Sequence, residues 1–266
     1  MQNIFLFIST LLAYFIKGIT GFGNTLVMGS LFSFVVSNRL TTPVDLIFGI
    51  PTNTYIVWRE RKNISLKVVI PLSLMLLAGI IPGTFLLKVG NDRILKSILG
   101  IVVVGMALEM LTRKLTKNET KKNNPIFLII IGIISGVLAG LYGIGALLVA
   151  YISRTTNNKN EFRGNICCVF LVDNIFRFFL YLFTGILNKE IFMLTLFLSP
   201  AVILGMMIGV KVDSNMKEET VKKSVIALLI ISGTILLLKG VLNYSMWKWT
   251  LEYSIYHRQW INPVGI

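Results

Sequence analysis

The sequence predicts an all-α membrane protein, a polytopic transmembrane helical bundle built from about eight hydrophobic segments. Composition is the first observation behind this: the 266 residues are 55% hydrophobic and only 14% charged, whereas a soluble domain carries about a quarter charged residues. Segment length is the second. At least eight stretches approach the ~20 apolar residues that one helix needs to cross a hydrocarbon core of about 30 Å. The third is the lack of polar faces. A helix that meets water keeps a polar stripe, and residues 98–108, 126–134 and 225–238 offer none.

The segments fall near 3–36, 42–58, 68–87, 97–112, 126–152, 163–187, 191–210 and 224–243. The first begins MQNIFLFIST, with no basic n-region and no small-residue cleavage site after it, and is read as a retained segment rather than a signal peptide. The cations behind the net charge of +14 sit in short connections. Topology and contact with anionic lipid account for them there, so lipid and not nucleic acid is the expected partner. Cys167 and Cys168 are adjacent within the sixth segment. Neighbouring helical positions diverge too far for a disulfide, and both are read as small packing residues. The tail, 244–266, interleaves Trp247, Trp249, Tyr253, Tyr256 and Trp260 with Lys248 and Arg258, the composition of an aromatic interfacial anchor.

Two segments are too long to be simple spans. As one helix, 3–36 would reach roughly 50 Å, well beyond the bilayer core. Both long segments carry a glycine cluster, and the clusters align. GITGFGNTLV at 18–27 matches GLYGIGALLV at 140–149 without gaps, bringing Gly18, Gly21 and Gly23 into register with Gly140, Gly143 and Gly145. At the same offset Gly83 meets Gly205, and slightly later Lys96-Ser97 meets Lys223-Ser224. The expected organisation is therefore a first transmembrane repeat at 1–115, a basic linker at 116–124, a second repeat at 125–243 and the tail. The G-x-x-G-x-G spacing does not mark a dinucleotide site, which needs a preceding strand and a βαβ unit. A chain that breaks at the glycines and turns back, with arms of about 12–14 residues, suits the bilayer better.

Loop cations support the reversal. If every segment crosses once, the two sides collect 11 and 13 lysines and arginines; if both glycine segments turn back, the split becomes 17, Lys17 included, against 8. The positive-inside rule prefers the second arrangement, which inverts the repeats and places loops 59–67, 113–125, 153–163 and 211–223 in the cytoplasm.

Inverted repeats with interrupted helices hold their ligand near the midplane, where the breaks meet. A helix that starts at a break offers free N–H groups and a positive dipole end to an anion, and glycine lets backbone approach closely. The candidate anion-binding residues are Gly18, Thr20, Gly21, Gly23, Asn24 and Thr25 at the first break, and Gly140, Tyr142, Gly143 and Gly145 at the second. Asp173 and Arg177 share one helical face. They form either a self-neutralising pair or a site in which Arg177, with Asn174, reaches the anion. Asn53 lies near the repeat equivalent of Asn174 and joins the candidates. Asp45, Glu109 and Lys239 are read as interfacial and given no role. The single histidine, His257, lies in the tail, which supports neither a histidine relay nor a metal site. With no H-E-x-x-H, no G-x-S-x-G and no paired carboxylates within a span, the chain is not expected to be an enzyme or to need a cofactor.

The doubled motif, GITGFGN and GLYGIGA, followed in each half by a glycine-containing span and a basic loop, resembles the TauE/SafE family of sulfite exporters. The resemblance covers about 240 residues. It implies a multi-pass permease of the bacterial or archaeal inner (cytoplasmic) membrane that moves small sulfur-containing anions such as sulfite or organosulfonates. Asn24 and Ala146 depart from the glycine run that many members continue, beside the expected site. A secondary transporter with alternating access is the leading expectation. A passive anion channel and a non-transporting accessory subunit are the alternatives, and assembly as a homodimer stays open.

Overall fold

The computed structural model describes residues 2–89, 125–143, 148–149 and 158–213, with scattered positions within 101–108, 152–156 and 219–234. Most of the spans expected at 97–112 and 224–243, and all of the linker and tail, lie outside the described residues. Every regular element described is helical: α1 (Gln2–Thr20), α2 (Asn24–Phe32), α3 (Asn38–Arg59), a 3-10 turn (Arg61–Asn63), α4 (Leu66–Val89), α5 (Pro125–Tyr142), α6 (Lys159–Phe183) and α7 (Lys189–Asp213). Among these, α1, α4, α6 and α7 are long and apolar enough to cross a membrane.

Both long segments break at glycine. Gly21 and Gly23 adopt φ of 83° and 89°, and Gly143 adopts 71°, a left-handed conformation that L side chains rarely take. The local geometry is the same at both places: Gly21 N–H donates to the Lys17 carbonyl and Gly143 N–H to the Ala139 carbonyl, each at 2.7 Å. The break does not divide the first segment into equal arms, however. α1 has 19 residues and α2 only 9, because Gly18 stays helical and the first left-handed glycine comes late. At about 1.5 Å per residue α1 alone is about 28 Å long, close to the full core thickness. α6 also starts earlier than expected. The Asn158 side chain caps it by accepting from the N–H groups of Asn160 and Glu161 at 3.1 and 2.9 Å, which satisfies two otherwise orphaned donors.

Three helix pairs make the body: α1 packs on α7, α4 on α5, and α3 on α6. The first two seams are made of glycine. A Cβ added at Gly136 would stand 2.2 Å from the Leu76 carbonyl oxygen, and one at Gly209 would stand 2.2 Å from that of Phe15. Such backbone-to-backbone approach is how helices associate where lipid removes the hydrophobic drive between them. The outer surface carries Ile70, Leu74 and Phe85 on α4 and Met193, Leu196, Ile203 and Met207 on α7, while Thr10, Lys17, Asn24, Asp45, Asn53, Asp173 and Arg177 are buried. Apolar outside and polar inside is the pattern of a protein whose solvent is hydrocarbon.

At one end of the bundle Asp213, the last residue of α7, forms a doubly hydrogen-bonded ion pair with Arg163 of α6. Arg59 Nη2 and Lys159 Nζ each lie 3.6 Å from the same carboxylate. The end of α3, the start of α6 and the end of α7 therefore meet on one side.

The glycine seams generate a stability prediction. Gly136→Val and Gly209→Val each lower unfolding free energy by about 1–3 kcal/mol, read by denaturant titration in detergent. Gly29→Ala, where an added Cβ meets nothing within 4 Å, leaves stability unchanged or slightly raised.

Candidate functional site

A helix that stops inside a membrane protein leaves carbonyls without partners, and α6 supplies partners to both breaks. At the first, Arg163 Nη2 donates to the Ile19 carbonyl and the Cys167 thiol to the Gly21 carbonyl at 3.0 Å. At the second, the Tyr181 hydroxyl donates to the Gly140 carbonyl at 3.2 Å, and Arg177 Nη1 adds a second bond, at 3.0 Å, to the Ala139 carbonyl that already accepts from Gly143 N–H. Each arginine carries its own aspartate, Asp213 for Arg163 and Asp173 for Arg177. A cation at a helix C-terminus also opposes the negative end of the dipole, so the two breaks are held electrostatically as well as by hydrogen bonds.

Between the clamps lies a pocket, lined from α1 by Lys17, from the first break by Gly23 to Leu26, from the second by Gly143, and from the middle turns of α3 and α6 by Asp45, Asn53, Asp173, Asn174 and Arg177. Its cavity is tight, about 30 Å³, room for about two water-sized groups. The Asp45 carboxylate accepts from the Tyr14 hydroxyl at 2.8 Å, from Asn24 Nδ2 at 2.7 Å and from the Thr25 hydroxyl. Asp173 is engaged differently: it accepts from Arg177 Nε at 2.9 Å and Nη2 at 2.8 Å, and Nη2 also donates to Asn174 Oδ1 at 2.8 Å. Gly49 makes room for this group, since a Cβ there would stand 2.2 Å from Asn174 Nδ2.

Three sets of polar groups at this pocket have no partner among the described residues. Lys17 is only 2% exposed, and its ammonium contacts the Tyr14 ring, 5.8 Å from the centroid, without an ion pair or hydrogen bond. Asn53 Oδ1 is buried and unbonded. The first backbone bond of α2 runs from Val27 N–H to the Gly23 carbonyl, so the N–H groups of Asn24, Thr25 and Leu26 have no helical acceptor. A buried ammonium without a hydrogen-bonded partner is costly. The ammonium and the α2 N–H groups are donors and suit an anion, whereas Asn53 Oδ1 is an acceptor and suits a proton-bearing group.

The structure brings together Gly23, Asn24, Thr25, Asn53, Gly143, Asn174 and Arg177 of the expected site residues. It takes Gly18, Thr20, Gly21 and Gly140 out of it. Gly18 packs on Gly209, Gly140 on Ile80 and Gly83, and Gly21 on the Arg163 side chain, while the Thr20 hydroxyl turns back to the carbonyls of Ile16 and Phe22. Those glycines serve helix packing and the bend itself. Gly145 and the Tyr142 side chain lie outside the described residues. Arg177 is present but fully engaged, which favours the self-neutralising pair. Two lining residues were given no site role from sequence. Asp45 is buried in the pocket rather than interfacial, and Lys17, counted as a loop cation, sits in the interior, leaving 16 loop cations against 8. The signal available was spacing. Tyr14 and Lys17 follow at a helical interval on α1 with Gly21 just past its end, and Asp45, Gly49 and Asn53 recur every four residues on α3.

Apolar helices enclosing a buried, charged pocket define a multi-pass membrane protein of the transporter class. A family model described as sulfite exporter TauE/SafE matches residues 6–236, and the chain belongs to that family. No curated protein and no solved structure matches it.

The arginine clamp generates a second prediction. Arg177→Met leaves Asp173 buried without its partner and destabilises the protein by about 3–5 kcal/mol. The double variant Asp173→Leu with Arg177→Met recovers part of that loss in thermal unfolding, because no lone charge remains.

Proposed function

We propose that the chain is a secondary transporter of small sulfur-containing anions, such as sulfite or organosulfonates, in the cell (inner) membrane. The observation that carries this is the Lys17 ammonium, buried at the pocket with neither an ion pair nor a hydrogen bond, in a pocket that three unpaired amides of α2 also line. The anion takes the missing place, Lys17 supplying charge and the α2 N-terminus supplying donors aligned with a positive dipole end.

Alternating access in this reading comes from two inverted repeats that rock about the breaks. The matched turns at Gly21 and Gly143 support it, as do the reciprocal seams in which the first helix of each half packs on the third span of the other. Further support comes from Arg59, Lys159 and Arg163 gathered at Asp213. With every segment crossing once, Arg59 would lie on the face opposite Lys159 and Arg163. With both glycine segments turned back, all three share the cytoplasmic side.

A thermal-shift panel of sulfite, sulfate, thiosulfate, taurine and carboxylates on purified protein tests the substrate class. At about a hundredfold excess over its dissociation constant a bound anion adds about 2.7 kcal/mol, and Lys17→Met removes most of that gain. Stabilisation by no anion, or an unchanged gain in Lys17→Met, contradicts the assignment. Counterflow in proteoliposomes separates a transporter from a passive channel, since only the former is stimulated by internal substrate.

A further inference from the structure

Asp45 and Asp173 line the same pocket, yet their surroundings equip them for different work. Asp173 faces a guanidinium through two bonds. Arginine has donors only and does not lose its proton, so a proton on Asp173 would leave guanidinium N–H groups facing a neutral acid and a buried cation without its partner. Asp45 faces no cation within ion-pair distance among the described residues. Its neighbours are two hydroxyls, on Tyr14 and Thr25, and the amide of Asn24. A hydroxyl donates or accepts as required. The contact between Asp45 Oδ2 and Thr25 Oγ1 therefore serves both forms: the threonine donates to the carboxylate, and the carboxylic acid donates to the threonine.

We propose that Asp45 is the proton-binding residue that couples anion transport at this pocket to a proton gradient, one proton moving with one monoanion in the same direction. The inference rests on the transport reading above. Its physical content is charge balance. Lys17, Asp45, Asp173 and Arg177 all line the pocket, two cations and two anions. Protonating Asp45 leaves one positive charge in excess, on the unpaired Lys17, and a monoanion restores neutrality. Each ligand makes the other bind more tightly, by the same factor in both directions. The occupied site is then neutral, the form in which a buried site is least costly to move through a membrane protein. The first step adds H+ to the Asp45 carboxylate and the second adds the anion beside Lys17. Release on the far side reverses both, with no net charge moved.

Among the described residues, only α1 and α6 bring titratable groups to face Asp45. α1 brings Tyr14 and Lys17; α6 brings Asp173 and Arg177, which neutralise each other. α2 brings only the neutral Asn24 and Thr25. α5 has no charged residue, and the charged residues of α7 (Lys189, Glu190, Lys211 and Asp213) stand at its two ends.

The test uses the full chain in proteoliposomes with radiolabelled sulfite and an inward proton gradient. Wild type is expected to concentrate sulfite several-fold and to lose that accumulation with a protonophore. D45N is expected to bring sulfite only to equal concentrations on both sides, however slow its exchange. Because sulfite's own protonation is common to both proteins, D45N accumulating like wild type overturns the coupling role and leaves the transport reading intact. A wild-type protein that moves no sulfite overturns both. Should D45N not exchange at all, infrared difference spectra decide. Sulfite binding is expected to raise a carboxylic-acid C=O band in wild type that shifts in D45E, and a spectrum without that band, or with a band unmoved in D45E, overturns the proposal.

Discussion

An α-helix that ends within a bundle leaves its last carbonyls without donors, and in hydrocarbon no water replaces them. The rest of this structure depends on how that problem is met at Gly21 and Gly143. One helix, α6, crosses both ends and places an arginine at each, with Cys167 and Tyr181 as second donors. Each arginine is matched by an aspartate, Arg177 in the interior by Asp173 and Arg163 at the end of the bundle by Asp213. The geometric result is that the turns are pinned, α2 starts with its amides free, and the space beside them becomes a pocket.

The two arginine–aspartate pairs and the Lys17–Asp45 couple divide the labour. The paired arginines are saturated and hold backbone in place. Lys17 and Asp45 share the pocket without forming an ion pair, and each retains capacity for a further partner, an anion for the ammonium and a proton for the carboxylate. Removing an element of the first kind costs stability, whereas changing one of the second alters what the pocket binds.

Much of this was legible in the sequence, for physical reasons. Twenty apolar residues in a row have few interpretations, and a stretch of 34 with a glycine cluster cannot be a straight span, so the helical membrane fold and the existence of the breaks are implied by length and composition. The asymmetry of the arms was not legible. Sequence shows that glycines are present but not which of them adopts positive φ, and Gly18 uses its small size for contact with α7 instead. The pocket was half legible. Asn24, Thr25, Asn53 and Gly143 were recognisable as polar or small groups near the breaks, but Lys17 resembled a loop cation and Asp45 a span-end residue. Their roles depend on where α1 and α3 meet α2 in space, a long-range relation that helical periodicity does not encode.

The central claim is that an anion occupies the space between Lys17 and the first turn of α2, within the two clamped breaks. Anomalous diffraction from crystals soaked in selenite, the heavier analogue of sulfite, tests it most directly. The account predicts a selenium peak within hydrogen-bonding reach of Lys17 Nζ and the Asn24 and Thr25 amides. A peak confined to the basic cluster around Arg59 and Lys159, with the pocket empty at saturating selenite, would contradict it.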